Sequence, residues 1–361
     1  MTKNRTTIAL AVILSLLTAT YCNKPTPDPD PDPIVNPDPE PEPQPDPEPE
    51  PEPERPKAPE WVDGYPAGVT VTEFTDTYKD GKQCLGFIAT VDFSVNPYLK
   101  FNCVVGSKKQ KPSEMFANFS SRKGTPALAI NAGYFGGTTS MSLVYSGGSC
   151  QRMAPRSINW PNDENYQATV YPVRSAIGQM EDGHFEIKWA YCTSVSTRDH
   201  YSFPSALDNN EKTQTFMTEA PGPDWPGAEL WEPKEAVGGG PRLVKNGRNV
   251  AVENYWAECL DSGGTSGLIR CNRTAIGYTD EGKLVIIVCD GRGSRGSAGC
   301  TLSELADKFI SLGCTQAMNL DGGGSSAIIG TDGALLNAPS DAGGERAVVS
   351  GIVISEYVPR S

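Results

Sequence analysis

Histidine is the scarcest chemistry in this chain. There are two, His184 and His200, in 361 residues. That count excludes a histidine-rich metal centre and leaves very few places for a Ser-His-Asp or Cys-His arrangement. His184 falls just after the turn of a predicted hairpin and reads as a surface residue. Cys-x-x-Cys pairs are also missing, so metal clusters and redox motifs of that spacing are not expected. Apolar runs are short: Ile8–Leu17 is the nearest to a membrane span, well under the roughly 20 residues that a bilayer requires. Basic charge is lacking as well. The net charge is −13, and residues 25–59 hold eleven acids against Arg55 and Lys57, or −9 of it, which leaves −4 for the rest. The chain therefore has no basic footprint for nucleic acid, and its acidity belongs to one segment.

That segment is part of a distinctive N-terminal region. Lys3 and Arg5 precede the apolar stretch Ile8–Leu17, and Ala19-Thr20-Tyr21 leads into Cys22. The pattern reads as an export signal over residues 1–22, and it resembles a bacterial lipoprotein processing site at which Cys22 becomes a lipid anchor. The expected location is the cell envelope, anchored to the outer membrane and facing the periplasm or the surface, with no membrane contact beyond that lipid. Residues 23–59 alternate proline with Asp or Glu. Such a run favours extended polyproline II and self-repulsion, hence a stiff tether with no core. The body, residues 60–361, holds nine cysteines. Cys259 and Cys271 flank a Gly-rich stretch and are the expected disulfide. Cys289 lies in Leu284-Val-Ile-Ile-Val-Cys289 and reads as a small buried hydrophobe.

Within the body, Arg174-Ser-Ala-Ile-Gly-Gln-Met-Glu-Asp-Gly183 aligns without gaps on Arg273-Thr-Ala-Ile-Gly-Tyr-Thr-Asp-Glu-Gly282. Each copy predicts strand, turn, strand. The shared leading arginine is not required by a turn, which favours an internal duplication over convergence. Thr301 and Glu304 form a capping box, Leu302, Leu305, Ala306, Phe309 and Ile310 fall on one helical face, and Gly313 stops the helix. An apolar strand precedes this helix and another follows, which predicts a crossover between parallel strands, with or without a strand between them. Residues 138–235 read largely as long loops and short strands. Gly238–Arg248 reads as loop, strand and Asn-Gly turn. The expected fold is α+β: a mixed β-sheet with packed helices and a duplicated hairpin unit.

Three apolar strands end at a polar residue followed by glycine: Asn131, Asp290 and Asp321. The last opens Asp321-Gly322-Gly323-Gly324-Ser325-Ser326. Glycines allow close backbone approach, and successive amides can form an anion-binding nest. A tight turn without a ligand explains the same residues. With histidine scarce, proton transfer falls mainly to carboxylates, here Asp290, Asp321 and Glu345. Arg273, Arg292 and Arg346 are the candidate phosphate clamps.

These segments, in order, resemble the phosphodiester glycosidase domain: Asn131-Ala-Gly-Tyr-Phe, Gly238-Gly-Gly-Pro-Arg, Arg273-Thr-Ala-Ile-Gly, Asp290-Gly-Arg, Thr301-Leu-x-Glu-Leu-Ala, Asn319–Ser326 and Gly344-Glu-Arg-Ala-Val. The resemblance covers about residues 125–355, with 60–120 as an N-terminal extension. It implies hydrolysis of a sugar-1-phosphodiester at the glycosidic bond, releasing an N-acetylglucosamine-like sugar from a phosphoglycan. On this reading Asp321 or Glu345 acts as acid, base or nucleophile. Arg273, Arg292 and the amides of Gly322–Ser325 bind phosphate, and Asn131 and Arg346 orient the substrate. No cofactor is required. Two alternatives stay open: a phosphodiesterase cleaving P–O with a divalent cation on Asp290 and Asp321, and a non-catalytic glycan-binding surface lipoprotein.

Overall fold

Leu284–Cys289 shows how this sequence builds its fold. All six residues are buried. Leu284, Ile286 and Val288 face a central core, while Val285, Ile287 and Cys289 face a second one. A strand covered on both faces reads as an unbroken apolar run. It lies inside a seven-stranded sheet, in the order Val69–Thr77, Gln83–Val91, Leu284–Cys289, Arg273–Thr279, Cys314–Asn319, Arg242–Lys245 and Arg248–Asn249. Every neighbouring pair is antiparallel. A second seven-stranded sheet runs Glu229–Leu230, His200–Phe203, Phe185–Cys192, Arg174–Gln179, Glu235–Gly238, Val144–Ser146 and Ser149–Arg152. A third sheet holds Ile328–Ile329, Thr125–Asn131, Val348–Glu356 and Leu99–Gln110. The central core draws on all three, with Ile276 and Ile286 from the first, Ile177 and Val237 from the second, and Leu128 and Ile352 from the third.

The structure is a computed structural model and describes residues 57–160, 168–260 and 264–359. The export signal, Cys22 and all but the last residues of the tether lie outside the described residues. No helix among the described residues is long and apolar enough to cross a membrane.

The α+β expectation is overturned. The described residues form 22 strands and three α-helices: α1 (Pro112–Ala117), α2 (Ala251–Ala257) and α3 (Leu302–Ser311). The first two have only 6 and 7 residues. Residues 138–235, read beyond the first hairpin as long loops and short strands, supply nearly all of the second sheet, whose other strands have only two to four residues. Residues 60–120 add two strands to the first sheet and one to the third.

Other expectations hold. Thr301 Oγ1 accepts from the Glu304 amide, Glu304 returns the bond, and Gly313 sits at φ +82°. Helix α3 packs Leu302, Leu305, Ala306 and Phe309 into the second core. The strands on either side of it, Leu284–Cys289 and Cys314–Asn319, are parallel to each other and separated by Arg273–Thr279. Asn246 and Gly247 adopt positive φ and join Arg242–Lys245 to Arg248–Asn249.

The two related hairpins share one register. Arg174 pairs with Ala190 and Ile177 with Ile187; Arg273 pairs with Cys289 and Ile276 with Ile286. The likeness extends to a third strand, since Ala176 faces Gly238 and Ala275 faces Asn319. This three-strand agreement is what a duplicated unit requires. The expected disulfide is absent: Cys259 and Cys271 are both free thiols. Cys259 packs with Trp160 and Val170, whereas Cys271 pairs its backbone with Cys300.

Candidate active site

Asp321 follows the central strand Cys314–Asn319, and the chain turns sharply just past it. The Asp321 amide donates to Ala132 O at 2.9 Å, and Asn131 Nδ2 donates to Asp321 O at 2.7 Å. Asn131 Oδ1 in turn accepts from Thr274 Oγ1 at 2.7 Å and from the Ala327 amide at 3.1 Å. Asn131 is completely buried. It therefore fixes the backbone of Asp321 rather than facing a ligand.

The glycines after Asp321 are explained by close approach. A Cβ on Gly324 would lie 1.9 Å from Asp341 Oδ1 and 2.3 Å from Arg346 Nη2. A Cβ on Gly322 would meet Asn272 O at 2.9 Å. Gly323 needs its positive φ of 59°. Most amides of the turn are engaged within the protein: Gly323 donates to Asn272 O, Ser325 to Gly322 O and Ser326 to Gly323 O, while the Gly322 amide donates to the Asp321 carboxylate. The buried Ser325 hydroxyl also bonds that carboxylate. Ser326 is buried beneath the turn.

A cavity of about 250 Å³ opens beside this turn, lined by Asp321, Gly322–Gly324, Arg292, Arg346, Arg273, Tyr134 and Asn319, with Tyr255 and Leu302 on its apolar side. Among the described residues, Asp321 is the one carboxyl group on the lining. Burial pushes it up to about 6, against the opposing effects of Ser325, Arg346 and the Gly322 amide. A carboxyl at that value changes charge close to neutral pH.

The three arginines differ. Arg292 is exposed, adopts φ +52° and makes no hydrogen bond or ion pair with the described residues. Its Nη2 lies over Gly323, 3.4 Å from where a Cβ would stand. Arg346 is held by Asp341, Nε to Oδ2 at 2.7 Å and Nη2 to Oδ1 at 2.8 Å, and its Nη1 reaches Ser325 Oγ at 3.2 Å. Arg273 reaches the lining but spends its donors on carbonyls: Cys300 O at 3.2 Å, and Ser266 O and Ile269 O at 2.9 Å each. Arg174, its counterpart in the other unit, likewise donates to the carbonyls of Glu258 and Cys259.

Asp290 and Glu345 stand away from the lining. Asp290 is completely buried, with Oδ1 accepting from the Ala338 amide at 2.8 Å and Asn337 Nδ2 at 3.2 Å, and Oδ2 from Arg295 Nε at 2.7 Å. Asn337 also bonds Ser326 O, so Asp290 supports the turn from below. Glu345 accepts from the amide and hydroxyl of Ser113 at the start of α1, at 2.7 and 2.5 Å. His200 is buried against Tyr145, pushed down to about 4 by burial, and His184 lies on its hairpin beside Asp182. Neither lines the cavity. The one group of three candidate metal ligands among the described residues is Cys84, Cys289 and Cys300.

The model of the phosphodiester glycosidase family matches residues 192–355. That stretch of the chain is similar to the phosphodiester glycosidase family. It is 48% identical over 114 residues to the SPbeta prophage-derived uncharacterized protein YomE of Bacillus subtilis, covering 31% of this chain and 16% of that protein. It is 34% identical over 104 residues to the N-acetylglucosamine-1-phosphodiester alpha-N-acetylglucosaminidase of Bos taurus, and 33% to that of Homo sapiens, each covering 27% of this chain. The chain spans only 16 to 20% of the length of these curated relatives. The fold likeness is broader. The zebrafish N-acetylglucosamine-1-phosphodiester alpha-N-acetylglucosaminidase catalytic domain, auto-inhibited by its pro-peptide, superposes with a TM-score of 0.52 at 18% identity, covering 83% of this chain and 87% of that one.

The fold also places at the cavity residues that the sequence reading did not single out. Tyr134 donates from its hydroxyl to Gly240 O at 2.8 Å and accepts from Asn319 Nδ2 at 2.9 Å. Asp341 orients Arg346. Tyr134 and Asn319 lie inside quoted segments, so position alone could have flagged them. Asp341 lies three residues outside one, and nothing in the sequence ties it to Arg346.

Proposed function

We propose that this cavity hydrolyses a sugar-1-phosphodiester at the glycosidic bond, with Asp321 as the carboxyl group that does proton transfer and Arg292 as the phosphate contact. The observation that carries the reading is that, among the described residues, one carboxyl lies on the lining, raised to about 6 and set beside a guanidinium with no partner among those residues. Family membership supports a sugar-phosphodiester hydrolase. An N-acetylglucosamine-like sugar is proposed from what the curated relatives are named for.

Glycosidases commonly use two carboxyl groups, an acid for the leaving oxygen and a second for water or C1. A phosphate monoester leaves as an already acidic group and needs little protonation. One ionised carboxylate then suffices on the sugar side: Asp321 takes a proton from water, the water oxygen bonds C1, and the C1–O bond breaks with its electrons going to the phosphate. Arg292 meets the charge that develops there.

The test is release of free sugar from UDP-N-acetylglucosamine or a simple sugar-1-phosphodiester. Replacing Asp321 by Asn should cost about 10²–10⁴-fold in turnover. Activity should rise through a pH of about 6 as Asp321 ionises. In ¹⁸O water the label should enter the sugar; label in the phosphate would mean P–O cleavage and defeat the proposal.

We also propose that the protein is an exported lipoprotein of the cell envelope, on the strength of Lys3, Arg5, Ile8–Leu17 and Cys22. Palmitate labelling that disappears in Cys22→Ala checks it.

A further inference from the structure

Behind the site lies a group of sulfurs that the proposed hydrolysis does not use. Cys84, Cys289 and Cys300 place their Sγ atoms within 4.8 Å of one another, and Cys289 Sγ is 3.3 Å from Cys300 Sγ. All three are buried, in the core that packs Leu302, Leu305 and Phe309. They come from three elements: Cys84 from the strand Gln83–Val91, Cys289 from the end of Leu284–Cys289, and Cys300 from the residue before the α3 cap Thr301.

Cys289 and Cys300 bracket a short loop with unusual demands. It holds Asp290, which supports the Asp321 turn, and Arg292, which faces the cavity. Arg292 and Arg295 are non-glycine residues at φ +52° and +50°, a region that costs L-residues energy and persists only where the surroundings enforce it. The loop is held by Arg295 to Asp290 and Glu73, by Ser297 Oγ, which donates to Asp290 O at 2.7 Å and accepts from the Leu85 amide at 3.0 Å, and by the Gly293 and Ala298 amides, which donate to Ser297 O and Gln83 O.

We infer that Cys289 and Cys300 form a disulfide that staples the base of this loop, with Cys84 left as a free thiol beside it. The 3.3 Å between the two sulfurs must close to about 2.05 Å. The product is neutral and suits an apolar core, whereas three thiolates on a divalent cation would leave a net negative charge buried there. The oxidant is an incoming small-molecule or protein disulfide. Cys289 and Cys300 give up two electrons and two protons, one S–S bond forms between them, and the incoming S–S bond breaks to leave two thiols. The staple forms before α3 closes over the sulfurs, and burial then shields it from reductant.

The test uses the full chain, refolded in graded glutathione buffers, acid-quenched, alkylated and digested with trypsin, which cuts at Arg292 and Arg295 between the two cysteines. The expected product is a cross-linked pair of peptides containing Cys289 and Cys300, 2 Da lighter than the separate thiols, with Cys84 alkylated. The cross-link should survive in Cys84→Ala and vanish in Cys300→Ala. The oxidised chain should melt about 5 °C higher than the reduced one, and amides 291–299 should exchange with deuterium more slowly. Three free thiols under all buffers, a cross-link that includes Cys84, or one bound zinc or copper per chain with no cross-link would each overturn the inference. The mapping is done on the wild type, so failure of a variant to fold does not block it.

Discussion

Asp321 owes its chemistry to what stands behind it. Asn131 grips its carbonyl, Ala132 receives its amide, and the side chain is left to face a cavity that desolvates it. Arg292 differs from its neighbours for the converse reason: Asp341 holds Arg346 and backbone carbonyls hold Arg273, while nothing among the described residues holds Arg292. Removing an engaged arginine disturbs structure, and removing a free one disturbs only what it is free to touch. Arg292→Ala should lower kcat/KM by roughly 10- to 100-fold and change the melting temperature little, and Arg292→Lys should recover only part because it lacks the planar fork. Steady-state kinetics beside thermal melting check this. Equal losses in activity and stability would give Arg292 a structural role instead.

At the scale of elements, two carboxylates act as fasteners. Glu345 caps the start of α1 through Ser113, and Asp290 joins the end of a core strand to Arg295 and Asn337. Glu345→Gln should cost about 1 kcal/mol of stability and leave kcat within a few-fold of wild type. Asp290→Asn should cost more, about 2–4 kcal/mol, because a buried charge-assisted bond to Arg295 is broken. Urea titration with parallel kinetics distinguishes fasteners from catalysts. These elements also show what a sequence can reveal. Helix α3 was legible because a capping box, a five-residue apolar face and a terminal glycine all say the same thing. The hairpins were legible because one register was written twice. The rest of the second sheet was not, because its other strands, of two to four residues, carry no period. The turn Asp321–Ser326 was legible as a Gly-rich turn at a strand end, but whether a carboxylate faces solvent or a partner depends on residues far away in the chain. That is why Glu345, whose partner is Ser113, could not be separated from Asp321 by reading alone.

For the molecule as a whole, Asp321 sets a cost. Its folded value of about 6 lies above the ordinary 3.8. Between those values the folded state holds more protons than the unfolded one, so its contribution to stability falls as pH rises from about 4 to about 6 and is flat above. Asp321→Asn should accordingly be more stable than wild type by roughly 1–3 kcal/mol at pH 7.5, and by less at pH 4. Denaturant titrations at the two pH values check the sign. The three sheets around one core tolerate this cost because the site is at their rim and not in it.

The shared register of the two units also poses a sorting problem during folding. Each unit's first strand offers the same edge, and Glu235–Gly238 and Cys314–Asn319 fit it alike. A chain that took the wrong partner would bury Gly238 where Asn319 belongs and strand Asp321 on the opposite side of the molecule. The connection from Cys289 to Cys314 is shorter than that from Cys192 to Glu235 and contains α3, so its ends meet at lower entropic cost. The shorter connection favours the half that bears the acid in pairing with its own strand.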